Sequence, residues 1–144
     1  MQTQNYKSHS RYVPMYHFVL LILIVTILGG GVWNFYRAYD HHSGRLSAAL
    51  IFVLGVVGIF FYIYARDFAL KAQDRAIRAE ENFRHFILTG KPLDNRLRMG
   101  QIIALRFAGD AEFPSLAQKA AAENIKGDDI KKAIQTWRAD NYRV

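Results

Sequence analysis

Two long apolar stretches dominate the first half of the chain, and polar residues dominate the second half. Residues 12–36 and 46–65 contain no Asp, Glu, Lys or Arg. An α-helix rises 1.5 Å per residue, so about 20 residues cross the roughly 30 Å hydrocarbon layer of a bilayer. Both stretches reach that length, and the sequence predicts membrane-spanning helices at about residues 13–36 and 46–65.

The segment between the two spans, residues 37–45, is short and polar. The pattern therefore predicts an antiparallel transmembrane hairpin over residues 13–66, with Pro14 suited to the first turn of its first helix. A cleaved signal peptide is the alternative for the first span. That alternative is disfavoured because the apolar run begins late and an aromatic belt follows the small residues near Gly31.

Positive charge near the span ends predicts the orientation of the hairpin, because cytoplasmic flanks carry the excess of Lys and Arg. The polar N-terminal arm, residues 1–12, and the loop are each poor in such residues. The segment after the second span is rich in them: Arg66, Lys71, Arg75, Arg78 and Arg84. We therefore expect both termini in the cytoplasm and the loop outside.

Three consecutive glycines interrupt the first span, although glycine in a helix interior costs about 1 kcal/mol relative to alanine in water. Helices in lipid associate by close packing, and small residues let their backbones approach. The expected contact residues between the spans are Thr26, Gly29, Gly30, Ala48, Gly55 and Gly58. Two alternatives stay open: glycine is common in membrane helices generally, or this surface receives another protein.

The second span is predicted to continue as one long helix through a cytoplasmic extension, residues 67–90. No Gly or Pro lies between Gly58 and Gly90, and Gly90 suits a helix C-terminus. Acid-before-base pairs recur four residues apart and support a helix. These pairs are Asp67–Lys71, Asp74–Arg78 and Glu80–Arg84.

Residues 91–144 are predicted to form a small helical domain. The expected helices run from Asn95 to Ala108 after an Asp94 cap, from Pro114 to about Asn124, and from Asp129 to about Arg138. A strand at residues 100–109 is the weaker interpretation, because Ala, Leu, Arg and Gln favour helix.

The core of this domain is small, so we expect it to pack on residues 83–88 of the long helix or on a partner. The expected core residues are Leu97, Ile102, Ile103, Leu105, Phe107, Phe113, Leu116, Ile125, Ile130, Ile134 and Trp137. The expected fold class is thus an all-α membrane protein: a two-helix hairpin, an extended second helix and a small helical C-terminal domain.

Candidate chemistry is sparse. The chain has no cysteine, which excludes disulfides and thiol chemistry, and no catalytic motif appears, so we expect neither an enzyme nor a cofactor. His17, within the first span, could ligate a haem or a pigment, but the membrane interface also suits it. His41 and His42 could bind a metal, although adjacent histidines rarely point the same way, and a solvated loop is the favoured interpretation.

The net charge of +7 fits basic cytoplasmic flanks. The predicted basic surface comprises Arg75, Arg78, Arg84, Lys131, Lys132 and Arg138. Basic residues interleaved with Trp137 and Tyr142 can bind nucleic acid, and charge near a membrane can bind anionic lipid. An ordinary amphipathic terminal helix is the favoured interpretation, so nucleic acid is not the expected partner.

Four stretches of the chain resemble a known family: QNYKSHSRYVPMYHFVLL, RAEENFRHFILTGKPLDNRL, IALRFAGDAEFPSLAQKA and IKKAIQTWRADNYRV. They are similar to a domain-of-unknown-function family of small bacterial membrane proteins, found largely in Bacteroidetes and their neighbours. The resemblance covers nearly the whole chain. It implies a bacterial inner-membrane protein with two spans and a soluble C-terminal part, and it implies no activity, cofactor or catalytic residue.

The expected function is that of a non-enzymatic scaffold or accessory subunit of a larger bacterial membrane complex. Its expected partners are the lipid bilayer and either another membrane protein or further copies of itself. Two alternatives belong to other classes: a cofactor-carrying subunit that uses His17, and a membrane-tethered regulator whose basic tail binds anionic lipid or nucleic acid.

Overall fold

The computed structural model describes residue 6, residues 13–39 and residues 44–140, and every regular element in these ranges is helical. A π-helical segment, Met15–Leu20, leads directly into the first α-helix. The α-helices are α1 Leu21–Ala38, α2 Arg45–Thr89, α3 Met99–Leu105, α4 Phe113–Glu123 and α5 Gly127–Ala133. The predicted all-α fold is confirmed.

Two of these helices are long and apolar enough to cross a membrane by length and composition: Met15–Ala38, which includes the π-helical segment, and α2. In the most apolar window of each, only 11% of the residues are buried inside the protein. A core helix of a soluble protein is mostly buried, so these helices differ from that class. The prediction of two apolar helices of spanning length is confirmed.

The chain divides into two compact units. The hairpin unit comprises Arg11–Ala69, and the C-terminal unit comprises Leu70–Val144 together with Met1–Ser10. The helix α2 contributes residues to both units, because it runs without interruption through Ala69 and Leu70.

Gly90 ends α2, as the sequence predicts. Its φ of +72° lies in the left-handed region, where a residue with a Cβ is strained, and its N–H donates to the Phe86 carbonyl at 2.8 Å. Three residues after Gly90 the chain is tied back to the helix, because the Leu93 N–H donates to Asn82 Oδ1 at 2.8 Å.

The next helix begins later than predicted. Asp94 does not cap a helix from Asn95, because its carboxylate accepts hydrogen bonds from the side chain and backbone N–H of Arg96 in an exposed turn. These bonds lower the pKa of Asp94 from 3.8 to about 2. The helix α3 starts at Met99, where Gln101 Oε1 accepts a hydrogen bond from the Arg98 N–H at 2.7 Å.

The predicted start of α4 at Pro114 and its end near Asn124 are confirmed to within one residue. Pro114 lies in the first turn, and Asn124 ends the helix with a left-handed φ of 51°. The buried amide of Gln101 fastens α3 to this end, since its Nε2 donates to the carbonyls of Ala120 and Ile125.

The last helix is shorter than predicted, because a non-local pairing interrupts it. The α5 helix stops at Ala133, and the chain then becomes extended. The Arg138 N–H donates to the Phe107 carbonyl at 2.8 Å, and the Gly109 N–H donates to the Thr136 carbonyl at 2.8 Å. A Cβ on Gly109 would lie 3.2 Å from Thr136, so glycine permits this approach.

Glu112 holds the same extended segment from the other side. Its carboxylate accepts hydrogen bonds from the backbone N–H groups of Gln135 and Thr136, at 3.0 and 2.9 Å. Trp137, predicted to be helical, instead forms an isolated antiparallel bridge with Ala108. The extended structure after α5 is therefore determined by groups that lie far away in the sequence, namely the Glu112 carboxylate and the backbone of Phe107 and Gly109.

Seven of the eleven residues that the sequence predicts for the core of the C-terminal unit are buried in it, together with alanines from α3 and α4. The other four are partly buried and pack against it: Ile103, Leu116, Ile125 and Trp137.

The contact of this core with α2 includes the predicted segment, since the His85 ring of α2 lies edge-on to the Phe113 ring with the centres 5.8 Å apart. Ile77 of α2 is also buried in this core, whereas Phe83, Phe86 and Ile87 are exposed. The domain therefore contacts residues 83–88 through polar side chains, and the large apolar residues of that segment stay outside the contact.

Arg84 joins α2 to the rest of the C-terminal unit. Its Nη1 donates to Glu81 at 2.9 Å, its Nε to Asp110 at 2.7 Å and its Nη2 to the Ala108 carbonyl at 2.6 Å. The guanidinium also lies 4.4 Å from the centre of the Phe113 ring. The guanidinium group can make all these contacts together because it is planar and carries several N–H donors.

This arrangement corrects two predictions for Arg84. The structure pairs it with Glu81, three residues earlier, where the sequence predicts Glu80. Its side chain is only 11% exposed, so Arg84 does not belong to a basic surface. The reason is tertiary: Glu81 is buried by the folded domain and needs a charged partner there.

Replacing Arg84 with alanine should strongly destabilise the C-terminal unit, because Glu81 would remain buried without its main partner. We expect a loss of about 3 kcal/mol in the free energy of unfolding. Urea unfolding, followed through Trp137 fluorescence in a Trp33→Phe background, measures it.

Two variants sharpen this test. Arg84→Lys should recover only part of the loss, because lysine lacks the planar fork. Arg78→Ala removes an exposed arginine from the same helix and should change the stability by about 0.5 kcal/mol or less. Equal stability of Arg84→Ala and Arg78→Ala would contradict this account.

Candidate functional site

The two apolar helices of the hairpin unit run antiparallel, and contacts near both ends fix their register. At one end the Tyr16 and Tyr62 rings stack with their centres 4.6 Å apart, and the Tyr16 hydroxyl donates to the Tyr62 carbonyl. At the other end Arg45 Nε donates to the Ala38 carbonyl at 3.2 Å.

Glycine brings the two backbones together in the middle of this contact. A Cβ on Gly31 would lie 3.0 Å from the Phe52 Cα, which is backbone and cannot rotate away. A Cβ on Gly55 would lie 2.6 Å from Leu28 Cδ2. Close backbone approach of this kind gives helices in lipid the packing contacts that hold them together.

Further small residues of α2 line the same face. Ala48 is fully buried, and a Cβ on Gly58 would lie 3.5 Å from Ile24, an ordinary contact. The structure therefore places two of the predicted contact residues of α2, Gly55 and Gly58, against α1, and it buries the third, Ala48.

The predicted contact residues of α1 lie elsewhere. A Cβ on Gly29 or Gly30 would meet nothing within 4 Å, and Thr26 is exposed, with its hydroxyl donating to the Ile22 carbonyl in its own helix. The prediction is wrong for these three residues. Gly31 takes their place, because adjacent helical residues differ by about 100° in direction.

The predicted basic surface is divided among separate places. Lys131 pairs with Asp128 at 3.4 Å, and Lys132 pairs with Asp129 at 3.5 Å, each across one turn of α5. Acidic residues therefore accompany these lysines, as in an ordinary solvated helix face.

The remaining arginines differ in their surroundings. Arg138 lies 4.0 Å from the buried Glu81 carboxylate. Arg75 and Arg78 are exposed and line an open groove of about 360 Å³ together with Asn82 and Leu93. No single face therefore collects the six predicted residues, and this arrangement gives little support to nucleic-acid binding.

His17 is engaged with its own helix. Its Nδ1 lies within hydrogen-bonding distance of both the Val13 backbone nitrogen, at 3.1 Å, and the Val13 carbonyl oxygen, at 2.9 Å, and the Tyr16 ring lies edge-on with its centre 5.5 Å away. This geometry is typical of a polar side chain that satisfies the first turn of a helix.

No metal centre emerges from the part of the chain that the structure describes. Within residues 6, 13–39 and 44–140, no group of three or more His, Cys, Asp or Glu side chains could hold a metal ion. The weak metal candidates His41 and His42 lie outside the described residues.

Gly31→Leu should destabilise the hairpin by about 1–3 kcal/mol, because the new side chain meets the backbone of Phe52. Gly30→Leu is the matched control, with the same substitution one residue away on an open face, and should leave the hairpin nearly unchanged. Thermal unfolding in detergent micelles, followed by far-UV circular dichroism, measures both. A larger loss for Gly30→Leu would contradict the observed register.

Comparison with known proteins places the chain in a family but supplies no activity. No curated protein and no solved structure matches it. A family model described as a family of unknown function (DUF6526) matches residues 1–144. Since the match covers the whole sequence, this chain belongs to the DUF6526 family.

Proposed function

We propose that this protein is a non-enzymatic scaffold or accessory subunit of the bacterial cytoplasmic membrane, with both termini in the cytoplasm. The observation that carries the proposal is the hairpin unit: two apolar helices packed on each other through glycine, with apolar side chains over their outer surfaces.

The outer surface of the hairpin supports insertion in a bilayer. Large apolar side chains are exposed all along it, among them Ile22, Leu23, Val25, Leu54 and Phe61. A continuous apolar surface of this size in water drives association, whereas in lipid it is the expected surface of a spanning helix pair.

The charge distribution supports the proposed orientation. At the start of α2, Arg45 donates hydrogen bonds to the carbonyls of Ala38 and Tyr39. After the second span, exposed arginines continue along α2. The Tyr6 ring lies 5.9 Å from Lys132 Nζ, which supports an N-terminal arm on the same side as the C-terminal unit.

The surfaces of the residues that the structure describes suit binding to other proteins better than they suit catalysis. The charged side chains buried in the C-terminal unit, such as Glu81 and Arg84, pair with each other and with neighbouring groups that hold the fold together. A hairpin that anchors a compact helical domain beside the bilayer suits a subunit that positions or joins other membrane components.

The orientation can be tested with single cysteines, since the natural chain contains none. In the sequence, Ser43→Cys falls in the short segment between the two apolar stretches, and in the structure Ser115→Cys lies on the exposed surface of the C-terminal unit. In intact spheroplasts a membrane-impermeant maleimide should label only Ser43→Cys, and Ser115→Cys should react only after permeabilisation. Labelling of Ser115→Cys in intact spheroplasts would contradict the orientation.

A scaffold also differs from a cofactor-carrying subunit in its spectrum and size. Protein purified from native membranes in mild detergent should lack visible absorption bands and should migrate as an assembly larger than the 16.6 kDa chain. A haem or pigment band that disappears in a His17→Ala variant would overturn the proposal in favour of the cofactor-carrying function.

A further inference from the structure

The part of α2 that lies in the C-terminal unit carries an uncovered apolar stripe. Its positions alternate in steps of four and three residues, and all are exposed: Ala72, Ala76, Ala79, Phe83 and Phe86. The side chains of Phe83 and Phe86 are 64% and 52% exposed, which is high for residues of this size. This spacing is the heptad pattern by which one helix packs against another.

The C-terminal unit packs on other positions of the same helix. Ile77, Glu81 and Arg84 contact that unit's own core and ion pairs. In the heptad that places Ala76 and Phe83 at the first core position, these three residues fall at outer positions, about 100° or more around the helix from the nearest stripe residue. The stripe residues stay exposed, with Ala79 at the border of an open groove that Leu93 also lines.

We propose that the stripe is the contact with a second copy of this chain, in a parallel two-stranded coiled coil along residues 72–86. The parallel direction rests on the proposed function, because two copies inserted with the same orientation in one membrane present α2 in the same direction. In such a dimer each residue of the stripe lies next to the equivalent residue of the other copy, and these pairs form the seam.

The charges beside the stripe fit this arrangement. Arg75 immediately precedes the core residue Ala76 and is therefore at a g position of the heptad. Glu80 immediately follows the core residue Ala79 and is at an e position. In a parallel pair a g residue faces the e residue five positions later in the other helix. Arg75 of one copy therefore meets the partner subunit's Glu80, and the reciprocal pair forms across the two-fold axis.

This charge complementarity belongs to the contact between copies. Residues five apart on one helix point away from each other, because neighbours on a helix surface are three or four residues apart. Both side chains are exposed in the single chain. In addition, Ile87 occupies the next e position and is 66% exposed, so it extends the apolar contact beside Phe83.

The side chains along the stripe also suit close association. The alanines let the helices approach, and the two phenylalanines contribute a large apolar area at the far end. The contact is short, but confinement of both copies to one membrane raises their effective concentration and favours the dimer.

Cysteine cross-linking in native membranes tests the seam and its direction. Ala76→Cys and Ala79→Cys should each give a disulfide-linked dimer on mild oxidation, because core residues of a parallel pair lie next to their equivalents. Arg78→Cys, exposed on the same helix but outside the seam, should not. Absence of dimer from both seam variants, or equal cross-linking at Arg78, would overturn the proposal.

Charge exchange tests the predicted pair. Arg75→Glu alone and Glu80→Arg alone should each reduce self-association, measured by co-purification of two differently tagged copies, by about tenfold. Co-expression of an Arg75→Glu chain with a Glu80→Arg chain should restore association, because both opposite-charge pairs then re-form between the copies. Failure of the mixed pair to associate better than either variant alone would overturn the parallel register.

The two proposals fail separately. Labelling of the Ser43→Cys and Ser115→Cys variants reports the orientation in the membrane without reference to dimerisation. If that labelling gives the expected result and cross-linking does not, the coiled coil is wrong while the membrane scaffold stands.

Discussion

In the proposed membrane-spanning form, the hydrogen-bonding requirement of the backbone in lipid governs the hairpin unit. A hydrocarbon layer offers no partner to a free N–H or C=O group, so a spanning segment must satisfy these groups within itself, as a helix does. The same environment removes the hydrophobic drive for helices to associate, and packing must replace it. Gly31 and Gly55 supply that packing, because each lets the opposite helix come within contact of the backbone.

The long helix α2 shows how one regular element serves several partners through different faces. Within the hairpin unit its small residues pack on α1, and within the C-terminal unit Ile77, Glu81 and Arg84 join it to the small domain. The apolar stripe that ends at Phe86 stays exposed in the single chain, and we propose that a second copy covers it.

Features that depend on local sequence were predictable from the sequence. The length of the two apolar stretches predicted the two long helices. Three residues with special backbone preferences predicted helix ends close to those observed: Gly90, Pro114 and Asn124. In each case the deciding interaction lies within a few residues of the chain.

Features that depend on tertiary neighbours were not predictable in the same way. Gly30 and Gly31 are identical and adjacent, and only the position of α2 decides which of them forms the contact. Likewise, the extended segment at Thr136 depends on the Glu112 carboxylate, far away in the sequence. Spacing along one helix cannot reveal a partner that another part of the chain supplies.

Alkaline carbonate extraction of native membranes tests the central claim most directly, because it releases peripheral proteins but leaves proteins that span the bilayer in place. The account predicts that the full-length chain stays with the membranes and is released only by detergent. Recovery of the chain in the aqueous supernatant as a soluble monomer would contradict it.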